Sequence, residues 1–315
     1  MGKTGGRPGG VRIAMPANNA IADAPPVDAG RVWIIYRKPT PALRSLVSGY
    51  HFIEIGPGDE PIEDIAYPSW AILRFTLGGP AWQAGFRLPL PDVPPAALFG
   101  ASSLAARIRT GGGLLVGAGL TPLGWARLFH TDAARFADRI TPLETLIGDA
   151  AGALRQRLRG QTDEDSWTAV LDDWFLARLA EAPPLSGDVL TLHRMLIDAD
   201  APRLDAIAAA LSITPRHVGR LSLHHFGLTP KLLLRRARFL RTLMPLRDPD
   251  PRPLTERIGA DYTDYAHFAR DCRAFLGMSP AAFVAMPRPI SDASTVERSL
   301  KLGAPAQALH RPDTI

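Results

Sequence analysis

The chain of 315 residues contains one cysteine, Cys272. A single thiol excludes a disulfide framework and any cysteine-rich zinc module. Cys272 falls on the apolar side of a helical pattern, so an inert core thiol is expected rather than a redox sensor. No apolar run reaches the ~18 residues that a membrane span needs. The opening MGKTGGRPGGVRIAMPANNA has no signal-like apolar stretch, so the expected compartment is the cytoplasm. Catalytic signatures are scarce too. TGGGLLVGAGLTPLG lacks the lysine of a phosphate loop and the spacing of G-x-G-x-x-G, and is read as a hairpin turn entering a buried strand. No Ser/His/Asp grouping has a nucleophile context, and His51, Glu54, Glu63 and Asp64 are read as solvated strand ends. His217, His224 and His225 share one helix with no cysteine or carboxylate close in sequence, so neither a metal nor a cofactor is expected.

What is present is an ordinary apolar fraction of 46% and an uneven charge. Residues 202–288 carry fourteen basic and seven acidic side chains, whereas the whole chain is only +5, so this segment holds the entire positive excess. Such asymmetry points to a polyanionic partner.

Residues 1–28 are rich in Gly, Pro, Ala and Asn, lack periodicity and are expected to be disordered. From 29 to 182 a folded N-terminal domain is expected. Its first hundred residues hold short β-branched and aromatic runs (RVWIIY, YHFIEI, WAILRFTL, WQAGFRLPL, LAARIRT, GLLVGAGL) between turn signals, the pattern of a sandwich or barrel. TPLE at 141–144 then reads as a capping box opening a helix that runs to Gly160. A second helix over 164–181 aligns Trp167, Val170, Leu171, Trp174 and Phe175, as core or as a dimer seam, with core preferred. APPLSGD (182–188) reads as a linker, with the boundary set at 183–188, and residues 289–315 as a flexible tail.

Between these lies a diverged internal repeat. TPRHVGRLSLHHFGLTP (214–230) and DYAHFARDCRAFLGMSP (264–280) align at a fixed offset of 50, matching His217 with His267, Arg220 with Arg270, Gly227 with Gly277 and Pro230 with Pro280. Each copy scans as helix, tight turn, helix, over 202–227 and 253–277, with a long helix over 230–244 between them. A helix-turn-helix places its second helix in the DNA major groove, where an arginine can fork onto guanine. Two units on a stiff connector can read successive grooves roughly 34 Å apart.

LDAIAAALSITPRHVGRL, HHFGLTPKLLLRRARFLRTL and YTDYAHFARDCRAFLGMSP, with the closing AAF, resemble the AraC/XylS family of transcription regulators. GAGLTPLGWARLF and FADRITPLETLIGDA resemble, more weakly, the sensory domain of a subset of that family. The resemblance implies an α+β chain: an N-terminal β-barrel-like (cupin-like) domain with trailing helices, and a C-terminal all-α domain over 189–288 with two helix-turn-helix units. It implies sequence-specific binding of double-stranded promoter DNA by a cytoplasmic, nucleoid-associated transcription factor rather than an enzyme. RNA polymerase is a further implied partner, and a small-molecule effector and a homodimer are compatible with it. Carried onto this sequence, the first recognition helix offers Arg216, Gly219 and Arg220 to bases, and the second offers Tyr265, Ala266, Ala269 and Arg270. His217, Lys231, Arg235, Arg236, Thr263 and Arg273 complete the expected DNA-binding set. The chain departs from the family at Ser222 and Cys272, which replace buried phenylalanines, and at Asp261, which replaces a glycine. Losing a large buried side chain costs about 2–5 kcal/mol, so both units need compensating contacts. The alternative is a small-molecule-binding or catalytic barrel with a basic helical adaptor.

Overall fold

In the computed structural model residues 30–198, 203–259 and 261–311 are described; the tail expected to be disordered lies outside them. Among the described residues there are nine strands: β1 Val32–Arg37, β2 Val47–Ile55, β3 Ile62–Ala66, β4 Ile72–Gly78, β5 Gln83–Gly85, β6 Ala96–Phe99, β7 Ala106–Thr110, β8 Gly113–Leu120 and β9 Ile140–Pro142. Six pair in the order β1-β2-β8-β4-β6-β9, and three in the order β3-β7-β5. Every pairing is antiparallel. Among the described residues no strand pair joins the two sheets, so the barrel-like domain consists of two facing sheets and is not closed.

Strand side chains alternate between faces with a period of two. The large sheet uses both. Ile35, Tyr50, Phe52, Leu73, Phe75, Leu98, Val116 and Ala118 enter one core, shared with the helices that follow. Ile34, Tyr36, Ile53, Ile55, Ala97, Phe99 and Leu115 enter a second core, shared with Ile62, Ala84 and Ile108 of the small sheet and with Trp82, just before β5.

The described residues also form twelve α-helices, the first lying between β8 and β9: α1 Pro122–Leu128, α2 Glu144–Ile147, α3 Ala150–Arg159, α4 Glu164–Glu181, α5 Gly187–Asp198, α6 Leu204–Ala210, α7 Pro215–Phe226, α8 Pro230–Leu243, α9 Leu254–Arg257, α10 Tyr265–Leu276, α11 Pro280–Ala285 and α12 Pro289–Leu302. The capping box at 141–144 does not form. Thr141 instead pairs with Leu98 as part of β9, and Gly148, at φ 58°, divides the expected helix into α2 and α3. Strand pairing outweighed a local cap worth about 1 kcal/mol. The Trp167 stripe is core: its ring stacks on Phe52 at 5.4 Å and its indole N–H donates to the Leu158 carbonyl at 3.0 Å.

The flexible tail expected over 289–315 is a further correction. Residues 289–302 form α12, which packs on β1 and β3. Asp64, expected at a solvated strand end, is 4% exposed and anchors this helix. Its carboxylate accepts from the amides of Ile290 and Ser291 at 2.7 and 3.0 Å and from the Ser291 hydroxyl at 2.7 Å. A carboxylate at a helix N-terminus satisfies amides that have no intrahelical partner. Further on, the Gln307 amide donates to the carbonyls of Ala71 and Leu120 at 3.3 and 2.9 Å. The chain leaving the helical region thus returns to the sheets.

Candidate nucleic-acid interface

The helices α7 and α10 are built alike. Thr214 caps α7 by accepting from the His217 amide at 3.3 Å, and Pro215 takes the first helical position, where its missing N–H costs nothing. Asp264 caps α10 by accepting from the His267 amide at 2.6 Å. Each helix ends at a glycine in the left-handed region, Gly227 at φ 80° and Gly277 at φ 72°, a conformation that strains other residues. Each glycine leads into a new cap, Thr229 before α8 and Ser279 before α11, again with proline at the first position. The sequence repeat is therefore a structural repeat.

The unusual residues are compensated. Ser222 is fully buried, and its hydroxyl donates to the Leu228 carbonyl at 2.6 Å, which ties α7 to the turn behind its C-terminus. Cys272 is fully buried between α10 and its neighbours, and burial pushes its thiol up to about 12, so it is inert. The cluster around it is rich in aromatic rings, with Phe239 stacked on Phe275 at 4.8 Å and on Phe268 at 5.9 Å. Asp261 pairs with Arg241 at 3.6 Å.

On α7 the side chains of Arg216, His217 and Arg220 are exposed, and Gly219 is half-buried. A Cβ added at Gly219 would meet nothing within 4 Å. On and before α10, Thr263, Ala266, Arg270 and Arg273 are exposed and Tyr265 is half-buried. Lys231, in the first turn of α8, is exposed. These residues form the solvent-facing surface that the repeat led us to expect on each second helix.

Three expected contacts do not belong to that surface. Arg236 is 1% exposed, and one terminal nitrogen of its guanidinium donates to the carbonyls of Ser69 and Ser102 at 2.8 and 2.7 Å. Its charge lies 4.1 Å from the centre of the Trp70 ring. It fastens α8 to the strand domain and is out of reach of a duplex. The sequence held the warning: Leu233, Arg236, Leu240 and Leu243 follow the apolar spacing of α8. Ala269 is 5% exposed, one turn after Tyr265 on the flank of α10 that leads to buried Cys272 and Leu276. Arg235 is partly exposed but committed, pairing with Asp271 at 2.6 Å.

Asp271 was not singled out from the sequence, yet it organises the second unit. It is 1% exposed and accepts from Arg235 at 2.9 and 2.6 Å, from Arg238 at 3.4 Å and from the Tyr262 hydroxyl at 2.7 Å. Burial would raise its carboxyl, but the hydrogen bonds and charges of Arg235, Tyr262 and Arg238 prevail and hold it below the ordinary value. His267, its ring against Tyr262, lies 3.4 Å from Arg238.

Both units share cores with the strand domain. Val218 and Phe226 of α7 belong to the same cluster as Trp125, Phe129 and Phe136. Phe268, Cys272 and Phe275 of α10 cluster with Ile65 and Ala105. The Ala105 amide donates to the Phe275 carbonyl at 2.7 Å.

Residues 207–286 match the family model described as "Helix-turn-helix domain". No curated protein matches the chain. Among solved structures, apo ToxT from Vibrio cholerae superposes with a TM-score of 0.41 at 9% identity, covering 79% of this chain and 99% of that one. ToxT from the same organism bound to an unsaturated fatty acid gives 0.39 at 9% identity, over 73% and 97%. The AraC-like transcriptional activator CuxR gives 0.25 at 15% identity, over 66% and 86%. The match spans both units, from α6 to the C-terminus of α11, so residues 207–286, about a quarter of the chain, are similar to a helix-turn-helix domain.

Proposed function

We propose that this protein is a sequence-specific transcription regulator whose α7 and α10 enter successive major grooves of promoter DNA. The observation that carries this reading is the duplicated cap–helix–glycine–cap unit, presenting Arg216 and Arg220 in one copy and Arg270 and Arg273 in the other to solvent. Among the described residues no carboxylate pairs with Arg216, Arg220 or Arg270, so their donors are available to a nucleic acid. Arg220 and Arg270 are assigned to bases, with Tyr265 and Ala266 beside them. Lys231, Arg273, His217 and Thr263 are assigned to the backbone.

Residues 29–182 are the sensory part of this reading, 183–188 its linker and 189–288 its DNA reader. We assign the chain to the cytoplasm, with RNA polymerase and a second copy of itself as partners and no catalytic activity.

Selection of random duplexes by the full-length protein at two salt concentrations tests the reading. Two enriched boxes about one helical turn apart are expected. Salt-sensitive binding with no enriched sequence would leave only a basic surface and sink it. Within the selected site, Arg220→Ala should cost about 1–3 kcal/mol of binding and relax one half-site, whereas Lys231→Ala should weaken all sequences alike. Equal loss of specificity from both substitutions would contradict the assigned roles.

Gly219→Ala separates folding from docking. The added methyl meets nothing in the protein, and alanine is favoured inside a helix by up to about 1 kcal/mol, so the unfolding midpoint should rise slightly. DNA affinity should fall if the backbone of α7 lies close to the duplex. An unchanged affinity would place Gly219 outside the interface.

A further inference from the structure

The two sheets, α12 and residues 305–307 line a partly open cavity of about 110 Å³. Its walls are largely apolar, with Ile53, Ile65, Ile72, Phe99 and Ile108 among them. Arg74 on β4 and Arg298 on α12 both line it. Arg298 is 5% exposed, and its Nε and one terminal nitrogen have no hydrogen-bond partner. The Nε of Arg74 is likewise buried and unpartnered. Each guanidinium has a ring on one side, Phe99 at 4.3 Å from Arg74 and Tyr36 at 5.6 Å from Arg298. A ring face draws a cation but does not neutralise it, and among the described residues no carboxylate pairs with either arginine. His51, 5% exposed on the same wall, also carries an unpartnered ring nitrogen.

Burying one unpaired cation is costly, and burying two around one cavity more so. Their surroundings register that cost. Burial lowers Arg74 to about 10 and also lowers Arg298. Burial, then Arg74, then Arg298 hold His51 well below its ordinary value, so both cations act on the same small volume.

We propose that this cavity is a binding site for a small organic acid, its carboxylate held between Arg74 and Arg298 and its compact apolar body among the isoleucines and Phe99. Guanidinium donors match a carboxylate in both charge and geometry. The size fits a body of a few carbons or one small ring; an apolar cavity of roughly 150 Å³ holds benzene.

The site joins two parts of the molecule. Arg74 belongs to the large sheet, whereas Arg298 belongs to α12, which three residues separate from α11, the helix that follows the second helix-turn-helix unit. That connection is fixed: Asp292 pairs with Arg247 at 2.7 Å, and Arg288 donates to the Phe283 and Met286 carbonyls. A carboxylate between the arginines therefore bears directly on the element leaving the DNA reader. The site deepens the regulator reading and rests on it only for the DNA read-out.

The test is thermal unfolding of the full-length protein with isobutyrate, isovalerate and cyclopentanecarboxylate, each beside its primary amide, and with inorganic phosphate. At least one acid should raise the midpoint at a concentration roughly tenfold below that of its amide, because only the acid neutralises the cations. Arg74→Met and Arg298→Met should each abolish that response. Both keep the stem and remove a buried unpaired charge, so neither unliganded variant should melt below the wild type. Equal shifts with acid and amide, a response surviving in the double variant, a shift with phosphate alone, no shift with any acid, or a lower melting point of Arg298→Met would each overturn the site. DNA selection is scored separately. An acid response without sequence-specific DNA binding leaves the site standing and removes the regulator reading; DNA binding without an acid response does the reverse.

Discussion

Arg236→Ala is expected to destabilise the protein by about 3–5 kcal/mol while leaving the salt dependence of DNA binding unchanged. The basic run LLLRRARFLR invites the opposite expectation, that Arg236 grips a phosphate. The structure decides between them by burial. The side chain is 1% exposed, donates to two carbonyls of the strand domain and lies against Trp70, and burial lowers its guanidinium to about 9. Truncation strands the Ser102 carbonyl and leaves a cavity the size of a long side chain. Hydrogen bonds from a charged donor contribute about 1.5–3 kcal/mol each, and the cavity adds to this. Arg236→Met keeps the stem in place and should cost less. Denaturant unfolding measures the loss, and hydrogen exchange in α8 and around Ser102 locates it. A log–log salt slope reduced by about one, with stability intact, would restore the phosphate contact.

Much of the fold was legible. Six of the strands announced themselves as β-branched or aromatic runs between turn signals, whether both faces are buried, as in β2 and β8, or only one, as in β7. β3 was missed because Asp64 interrupts IEDIA, and its reason for being there is α12, more than 200 residues away in sequence. β6 was missed because AALF is short and follows a proline cluster; it is a strand because β4 and β9 flank it. The helix α12 read as a loose tail because Ser291, Thr295, Glu297 and Arg298 are polar, yet all four are buried. Binary patterning assumes that what is buried is apolar. A helix that borrows its cap from a strand and lines a cavity breaks that assumption.

The candidate interface shows the same division. Caps, prolines and glycines act within a few residues, so both helix-turn-helix units could be placed from local signals alone. Which arginines remain free depends on what packs against α8 and α10, and that is a property of the tertiary structure. Arg235, Arg236 and Arg238 look equivalent in sequence. In space the first and third serve Asp271 and the second serves the strand domain.

Asp271→Ala follows from that division and should have a comparably large effect, about 3–5 kcal/mol, confined to the second unit. The carboxylate is the shared acceptor for Arg235, Arg238 and Tyr262. Removing it leaves the Tyr262 hydroxyl without its acceptor beneath α10 and sets two like charges side by side on α8. The carboxyl titrates lower in the folded protein than its ordinary value of 3.8. Its stabilising contribution is therefore fully present above that value and is lost as pH falls through the lower folded value. Asp271→Asn cannot ionise, so it should lose most of the stability at neutral pH and also flatten this acid limb. Hydrogen exchange over 262–285 should accelerate in both variants, while β2 and β8 keep their protection, because Asp271 touches neither strand. Uniform loss of protection across the chain would mean that the shared cores couple the second unit to the sheets so tightly that they unfold together, and the local assignment would fail. Retained stability in Asp271→Ala would show that the arginines find other partners, and would return Arg235 and Arg238 to the set of side chains free to meet DNA.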